Sequence, residues 1–267
     1  MAAALARADR AQTHRMAIVA TDTAVLAKRI EQVLQRLREG RGSDRWSARG
    51  GVAYGSRRVE GKLAFLFPGE GSQYPAMFSG LAMCFEEVQQ WLDFWHGLYD
   101  LPLGETRTDI VFPSSEIGAE RRHQLEQRMH DMDVGSESVF IGDMAMHELL
   151  VSLGVQPDVM LGHSSGESAA LGACGANPAR TPDERAYCIS RHFAVYEELL
   201  AAGKIPTGAL LAVGALPPAT VETLVAQAGE VVVAMDNCGN QMVLYGTPEG
   251  RADGIDRPVK QGKLFME

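Results

Sequence analysis

Two short apolar runs stand out against a largely amphipathic chain. Leu63 to Phe67 in "KLAFLFPGEGSQ" is continuously apolar, which predicts a central parallel strand covered on both faces and ended by Pro68 and Gly69. "DVMLG" (158–162) reads as a second buried strand. Helical periodicity runs between them over roughly 76–98 and 120–153, then from about 166, and again over about 183–202, a helix that carries Arg191 and stops at Gly203. This alternation predicts an α/β fold with a mainly parallel sheet flanked by helices.

The pattern changes at both ends. Before residue 60, "RMAIVA" (15–20) reads as a short buried strand. A helix follows, capped by Thr21 or Asp22, with Val25, Ile30, Val33, Leu34 and Leu37 on one face. "GRGSDRWSARGG" (40–51) reads as a linker, so residues 1–60 form a strand-helix linker region too small to bury its own core. Residues 61–206 form the large subdomain. After Pro206, "GALLAVGA", "PATVETLVAQAG", "EVVVAM" and "QMVLYG" give strand, helix, strand and strand, the last two joined through "DNCGN". That is an incomplete ferredoxin-like subdomain over 207–249, its final helix and strand not evident, followed by an irregular tail over 250–267. An incomplete small sheet leaves a strand edge open and predicts poor folding of the chain alone.

Composition narrows the function. The net charge of −9, with no long basic run, argues against nucleic acid or an anionic membrane as the main partner. No apolar run approaches the ~18 residues of a membrane span, and no secretory signal is evident. Cys84, Cys174, Cys188 and Cys238 are scattered, without metal-ligand spacing, which suits free thiols in a reducing cytoplasm and no metal site.

The chemistry concentrates in Gly162-His163-Ser164-Ser165-Gly166. A G-x-S-x-G between strand and helix is the sharp turn that lifts a serine hydroxyl into a cleft, and the following backbone N–H then faces any oxyanion formed there. The plainer alternative is a turn in which Ser164 or Ser165 merely caps the helix. "FPGEGSQ" (67–73) also leaves a buried strand, at the sheet edge where α/β proteins hold ligands, and can present a second donor through the Glu70 N–H. It lacks the G-K-[ST] of a phosphate-binding loop.

Together, F-P-G-E-G-S-Q and the later G-H-S-S-G-E resemble the acyltransferase domains of polyketide and fatty acid synthases, which are similar to malonyl-CoA:acyl-carrier-protein transacylases. "HRMAIVATD…LAKRIEQVL" resembles the linker between ketosynthase and acyltransferase, and "VVVAMDNCGNQMVLYG" the family's small-subdomain hairpin. The S-S-G-E form and "RHFAVYEEL" look closest to iterative synthases of the enediyne and polyunsaturated-fatty-acid kind. The resemblance implies a hydrolase-like large subdomain and Ser164 as nucleophile. It also implies an oxyanion hole from the Glu70 and Ser165 N–H groups, and Gln73 positioning the acyl group. His163 either lines the cleft or is simply packed. Arg191, 27 residues after Ser164, is the implied clamp for a malonyl-type carboxylate, a job suited to a planar charged fork. No permanent cofactor is implied. Acyl-coenzyme A is the donor and the phosphopantetheine of a carrier protein the acceptor, with a ketosynthase and other synthase domains as partners.

Two departures matter. Glu70 replaces the family's usual glutamine. No histidine follows His192, although the family places its catalytic base well beyond the serine, often after a D-R-P segment such as Asp256-Arg257-Pro258. A serine esterase or thioesterase shares the turn but also needs a late histidine. A catalytically inactive docking module is the non-enzymatic alternative.

Overall fold

The computed structural model describes residues 13–40, 44–57, 59–102, 104–205, 208–228 and 230–247, and the backbone of 265–266. The chain divides into two units. One runs up to Trp91 and resumes from Ser138 to Ala176; the other comprises Leu92–Glu137 and the residues from Asn177 onward.

The first unit opens with more structure than the linker expected there. β1 (Arg15–Ile18), β2 (Arg45–Ala48) and β3 (Val52–Gly55) form an antiparallel sheet in the order β1-β3-β2 beside α1 (Thr23–Arg38). The stretch 40–51 is therefore not a plain linker: it contains a strand, Arg45–Ala48, whose buried anchor is Trp46. Trp46 stacks on Tyr54 at 5.5 Å, and the Arg36 guanidinium lies 4.3 Å over the indole. With Val33, Val52 and Ile18 they give this small sheet a core of its own, where none was expected. Asp22 caps α1 by accepting the Val25 N–H at 2.8 Å, a bond that lowers its carboxyl pKa.

β4 (Ala64–Phe67) and β5 (Val159–Gly162) pair in parallel, with Phe65 beside Met160 and Phe67 beside Gly162. The Asp158 carboxylate accepts the Leu63 N–H at 2.7 Å, and the His163 N–H donates to the Phe67 carbonyl at 3.0 Å, fixing both ends of the register. Among the described residues the expected cover on both faces is absent. Leu66 is 70% and Leu161 65% exposed, because the sheet there is two strands wide and packed on the face bearing Phe65 and Phe67. Those rings meet His147 of α6 (Met132–Ser152).

The two long helical stretches break into shorter pieces. The first becomes α2 (Ser79–Ala82), entered through Phe78 in the left-handed region, and α3 (Glu86–His96). A further helix, α4 (Arg107–Val111), was not anticipated; a Thr106–Asp109 capping box starts it. The second stretch becomes α5 (Ala119–Arg128) and α6, parted where Arg128 pairs with Asp131 and Asp133. After α7 (Gly166–Ala173), the helix expected over about 183–202 is α8 (Pro182–Ala201), started by a Thr181–Glu184 capping box.

In the second unit, β6 (Ala209–Gly214), α9 (Pro218–Ala228), β7 (Val231–Cys238) and β8 (Gln241–Gly246) follow the expected order. The turn is shorter than "DNCGN", since β7 runs on to Cys238 through two register irregularities. The final strand, thought missing, is present in reduced form: β9 (Phe265–Met266) pairs antiparallel with Ala212 and Val213. The order β7-β8-β6-β9 is that of a ferredoxin-like sheet. Its core is Leu211, Val213, Val221, Val231, Met242 and Leu244. The final helix, which the sequence left without evidence, would fall outside the described residues.

The same unit buries a charge cluster. Glu137, 2% exposed, accepts the Trp95 indole N–H at 2.9 Å and the Tyr99 hydroxyl at 2.6 Å. Arg107 Nε lies 2.9 Å from Glu137 Oε2, near enough to pair though not aligned as a hydrogen bond, and its Nη2 is 3.0 Å from Asp133. Burial raises the Glu137 pKa, against the hydrogen bonds and the Arg107 charge that oppose it. Burial also pushes Asp133 up, but its Arg128 hydrogen bonds and the two arginine charges outweigh this and hold it at about 2. Removing one partner from a buried pair costs far more than an exposed pair contributes. Arg107→Leu is therefore expected to cost about 3–5 kcal/mol in denaturant unfolding. Glu137 is cheaper to bury protonated, so that cost is expected to be smaller at pH 4 than at pH 8.

Candidate active site at the serine turn

β5 ends at Gly162 and α7 begins at Gly166, so three residues reverse the chain. Ser164 takes φ +54°, a left-handed conformation rare for a residue with a Cβ. It sits exposed at the crest of the turn. The two flanking glycines leave no room for a side chain. A Cβ on Gly162 would lie 2.4 Å from the Glu167 backbone, and one on Gly166 would lie 2.2 Å from the Phe67 carbonyl oxygen. The first closes the turn on its own helix; the second lets that helix start against the end of β4.

The second glycine loop meets the turn. A Cβ on Gly69 would stand 2.7 Å from the His163 carbonyl and 2.8 Å from Ser164 Cβ, so the bend after β4 lies directly against the serine. Within that bend, the Ser72 hydroxyl donates to the Gly69 carbonyl at 2.8 Å and the Gly71 N–H donates to Gln73 Oε1 at 2.7 Å. Gln73 is 8% exposed, and that bond folds its carboxamide back onto its own loop. Glu70 and His163 are exposed.

Neither serine behaves as a simple helix cap. Ser165 stands at the N-terminus of α7 without a side-chain capping bond, and its Oγ is buried with no hydrogen-bond partner. The Gly166, Glu167 and Ser168 N–H groups turn back to the carbonyls of His163, Ser164 and Ser165 at 3.0, 3.0 and 3.2 Å. The Ser165 N–H takes no part in those three bonds and sits where the helix dipole is positive.

Sequence reasoning passed over Asp143 and His147 on α6. Each has one buried side-chain atom, Oδ2 and Nδ1, without a hydrogen-bond partner. Burial pushes the Asp143 carboxyl up to about 7 and the His147 imidazole down. Their i, i+4 spacing in "GDMAMHELL", which puts two ionisable groups on one face among apolar neighbours, was the available signal. Arg191 belongs to the other unit, on α8, where its Nη1 lies 2.9 Å from Glu198 Oε1. Among the described residues, no cluster of three or more His, Cys, Asp or Glu side chains could hold a metal ion.

A serine held left-handed between a parallel strand and a helix, with a glycine loop against it, is the nucleophile-elbow arrangement of α/β acyl-handling enzymes. A family model described as acyl transferase domain matches residues 64–266, and the chain belongs to that family. It is similar to the spectinabilin polyketide synthase system protein NorB of Streptomyces orinoci, 32% identical over 188 residues, 70% of this chain and 8% of that protein. It is 27% identical to the malonyl CoA-acyl carrier protein transacylase of Bacillus subtilis over 190 residues, 71% of this chain and 55% of that protein. Among solved structures, the acyltransferase domain from the second module of the salinomycin polyketide synthase superposes with a TM-score of 0.68 at 22% identity. That match covers 96% of this chain and 53% of that one. The chain thus spans less than two thirds of the length of these relatives.

Two outcomes test the site's construction. Gly166→Ala places a methyl against a backbone carbonyl and is expected to lower stability by about 1–3 kcal/mol or more, read as a fall in Tm. The raised Asp143 pKa means that this carboxyl binds more protons folded than unfolded between about pH 4 and 7, so its contribution to stability falls as pH rises through that window, while the lowered His147 pKa acts in the opposite direction. Asp143→Asn is expected to flatten that slope in denaturant unfolding measured from pH 4 to 8.

Proposed function

We propose that the serine turn transfers a malonyl-type acyl group from coenzyme A to an acyl carrier protein. The left-handed Ser164, with the Gly69 bend packed against it, carries this reading. Ser164 Oγ attacks the thioester carbonyl and gives its proton to water, and the Ser165 and Glu70 N–H groups receive the developing oxyanion. The C–S bond breaks, the coenzyme A thiolate leaves and takes up a proton from water, and an ester remains on Oγ. The phosphopantetheine thiol of the carrier protein then attacks that ester through the same oxyanion site, losing its proton to water as Oγ leaves and is reprotonated. Arg191 holds the free carboxylate of the acyl group. His163 borders the nucleophile, and Gln73, through its bond to Gly71, shapes the loop that offers the Glu70 N–H.

In this reading the catalytic serine belongs to a large subdomain over 61–206, and a ferredoxin-like subdomain over 207–249 accompanies it. The parent protein is a polyketide or fatty acid synthase whose ketosynthase precedes this region. No described helix is long and apolar enough to cross a membrane. All four cysteines are exposed free thiols, a state that suits a reducing cytoplasm. No histidine follows His192, so this sequence supplies the nucleophile and its donors without the family's late imidazole.

The test is acylation by malonyl-CoA, read by peptide mass spectrometry. The expected adduct lies on Ser164, is absent in Ser164→Ala, and forms faster when imidazole is added as an external base. Equal labelling of both proteins would end the reading. Release of the acyl group to water in preference to a pantetheine thiol would favour a hydrolase instead.

A further inference from the structure

α8 is twenty residues long, yet none of its side chains is fully buried. One face lines a shallow groove of about 490 Å³ that includes Tyr187, Arg191, His192, Val195 and Tyr196. The cation in this groove is already engaged: Arg191 Nη1 contacts Glu198 Oε1 at 2.9 Å, with the side chains 51% and 64% exposed. Seven residues return a helix almost to the same face, two turns and about 10 Å further along its axis. Both side chains must therefore reach toward each other to meet.

We propose that Glu198 is an internal competitor for the carboxylate site on Arg191, which a malonyl-type acyl group must displace on binding. The inference rests on the reading of Arg191 as the carboxylate clamp. The contact uses one nitrogen of a fork that can grip an external carboxylate through two. It also immobilises two long side chains in water, which makes it weak and exchangeable. A substrate carboxylate delivers the same chemistry in bidentate form and releases Glu198 to solvent. Acyl groups without a free carboxylate have nothing to exchange, so Glu198 acts selectively against the carboxylated class.

The experiment compares dissociation constants of malonyl-CoA and acetyl-CoA for the full chain by calorimetry, in wild type, Glu198→Gln, Arg191→Ala and the double variant. Removing an exposed competitor is expected to tighten malonyl-CoA binding by about twofold to fivefold and leave acetyl-CoA binding unchanged. Arg191→Ala is expected to abolish the preference for malonyl-CoA, and Glu198→Gln to add nothing on that background. Unchanged malonyl-CoA affinity in Glu198→Gln, with the preference still lost in Arg191→Ala, would overturn the competitor and leave the proposed function standing. A preference that survives Arg191→Ala would instead remove Arg191 from the substrate site. Failure of the wild type to bind either thioester would overturn the proposed function and the competitor with it.

Discussion

Close approach of two main chains is the constraint on which the rest depends. The end of β4 and the start of α7 come together at Phe67, Pro68 and Gly166 with no space for a Cβ, and Gly69 returns to touch Ser164 in the same way. These contacts put two loops, about 95 residues apart in sequence, side by side. The parallel register of β4 on β5 fixes the level at which they emerge, and the His163–Phe67 hydrogen bond closes that register at the serine itself. Local sequence and long-range pairing agree here, as expected where one geometry must be held.

This explains which parts of the molecule were legible in the sequence. Glycines forced by backbone contact leave a signature that survives without any partner in view, so the turn and its facing loop could be placed from residues 67–73 and 162–166. The apolar runs at 63–67 and 158–162 were equally plain. What they could not show was how many further strands lie beside them, and the expected cover over Leu66 and Leu161 followed from assuming neighbours. The β2 strand was hidden because Gly, Ser and Arg surround Trp46, and burial of one indole outweighs the flexibility of its flanks. β9 was hidden by its brevity, since a two-residue pairing carries no alternation to read.

The charged cluster illustrates a different limit. Arg107, Asp133 and Glu137 are spread over thirty-one positions and look like solvated helix charges in sequence. Folding brings them together with Trp95 and Tyr99, where burial and pairing act on each carboxylate in opposite directions. Periodicity reports which face is apolar; it does not report which polar residues on that face find each other. Asp143 and His147 are the counter-example, polar residues on a packed helix whose orphaned atoms have found no partner.

The backbone angle at Ser164 has an energetic consequence. A residue with a Cβ costs about 1–2 kcal/mol in the left-handed region, which glycine would avoid while adding freedom to the unfolded chain. A hydroxyl displayed at this angle is thus held by local strain that the packed Gly69 bend and the paired strands must absorb, so loosening either would let the serine relax out of its crest position.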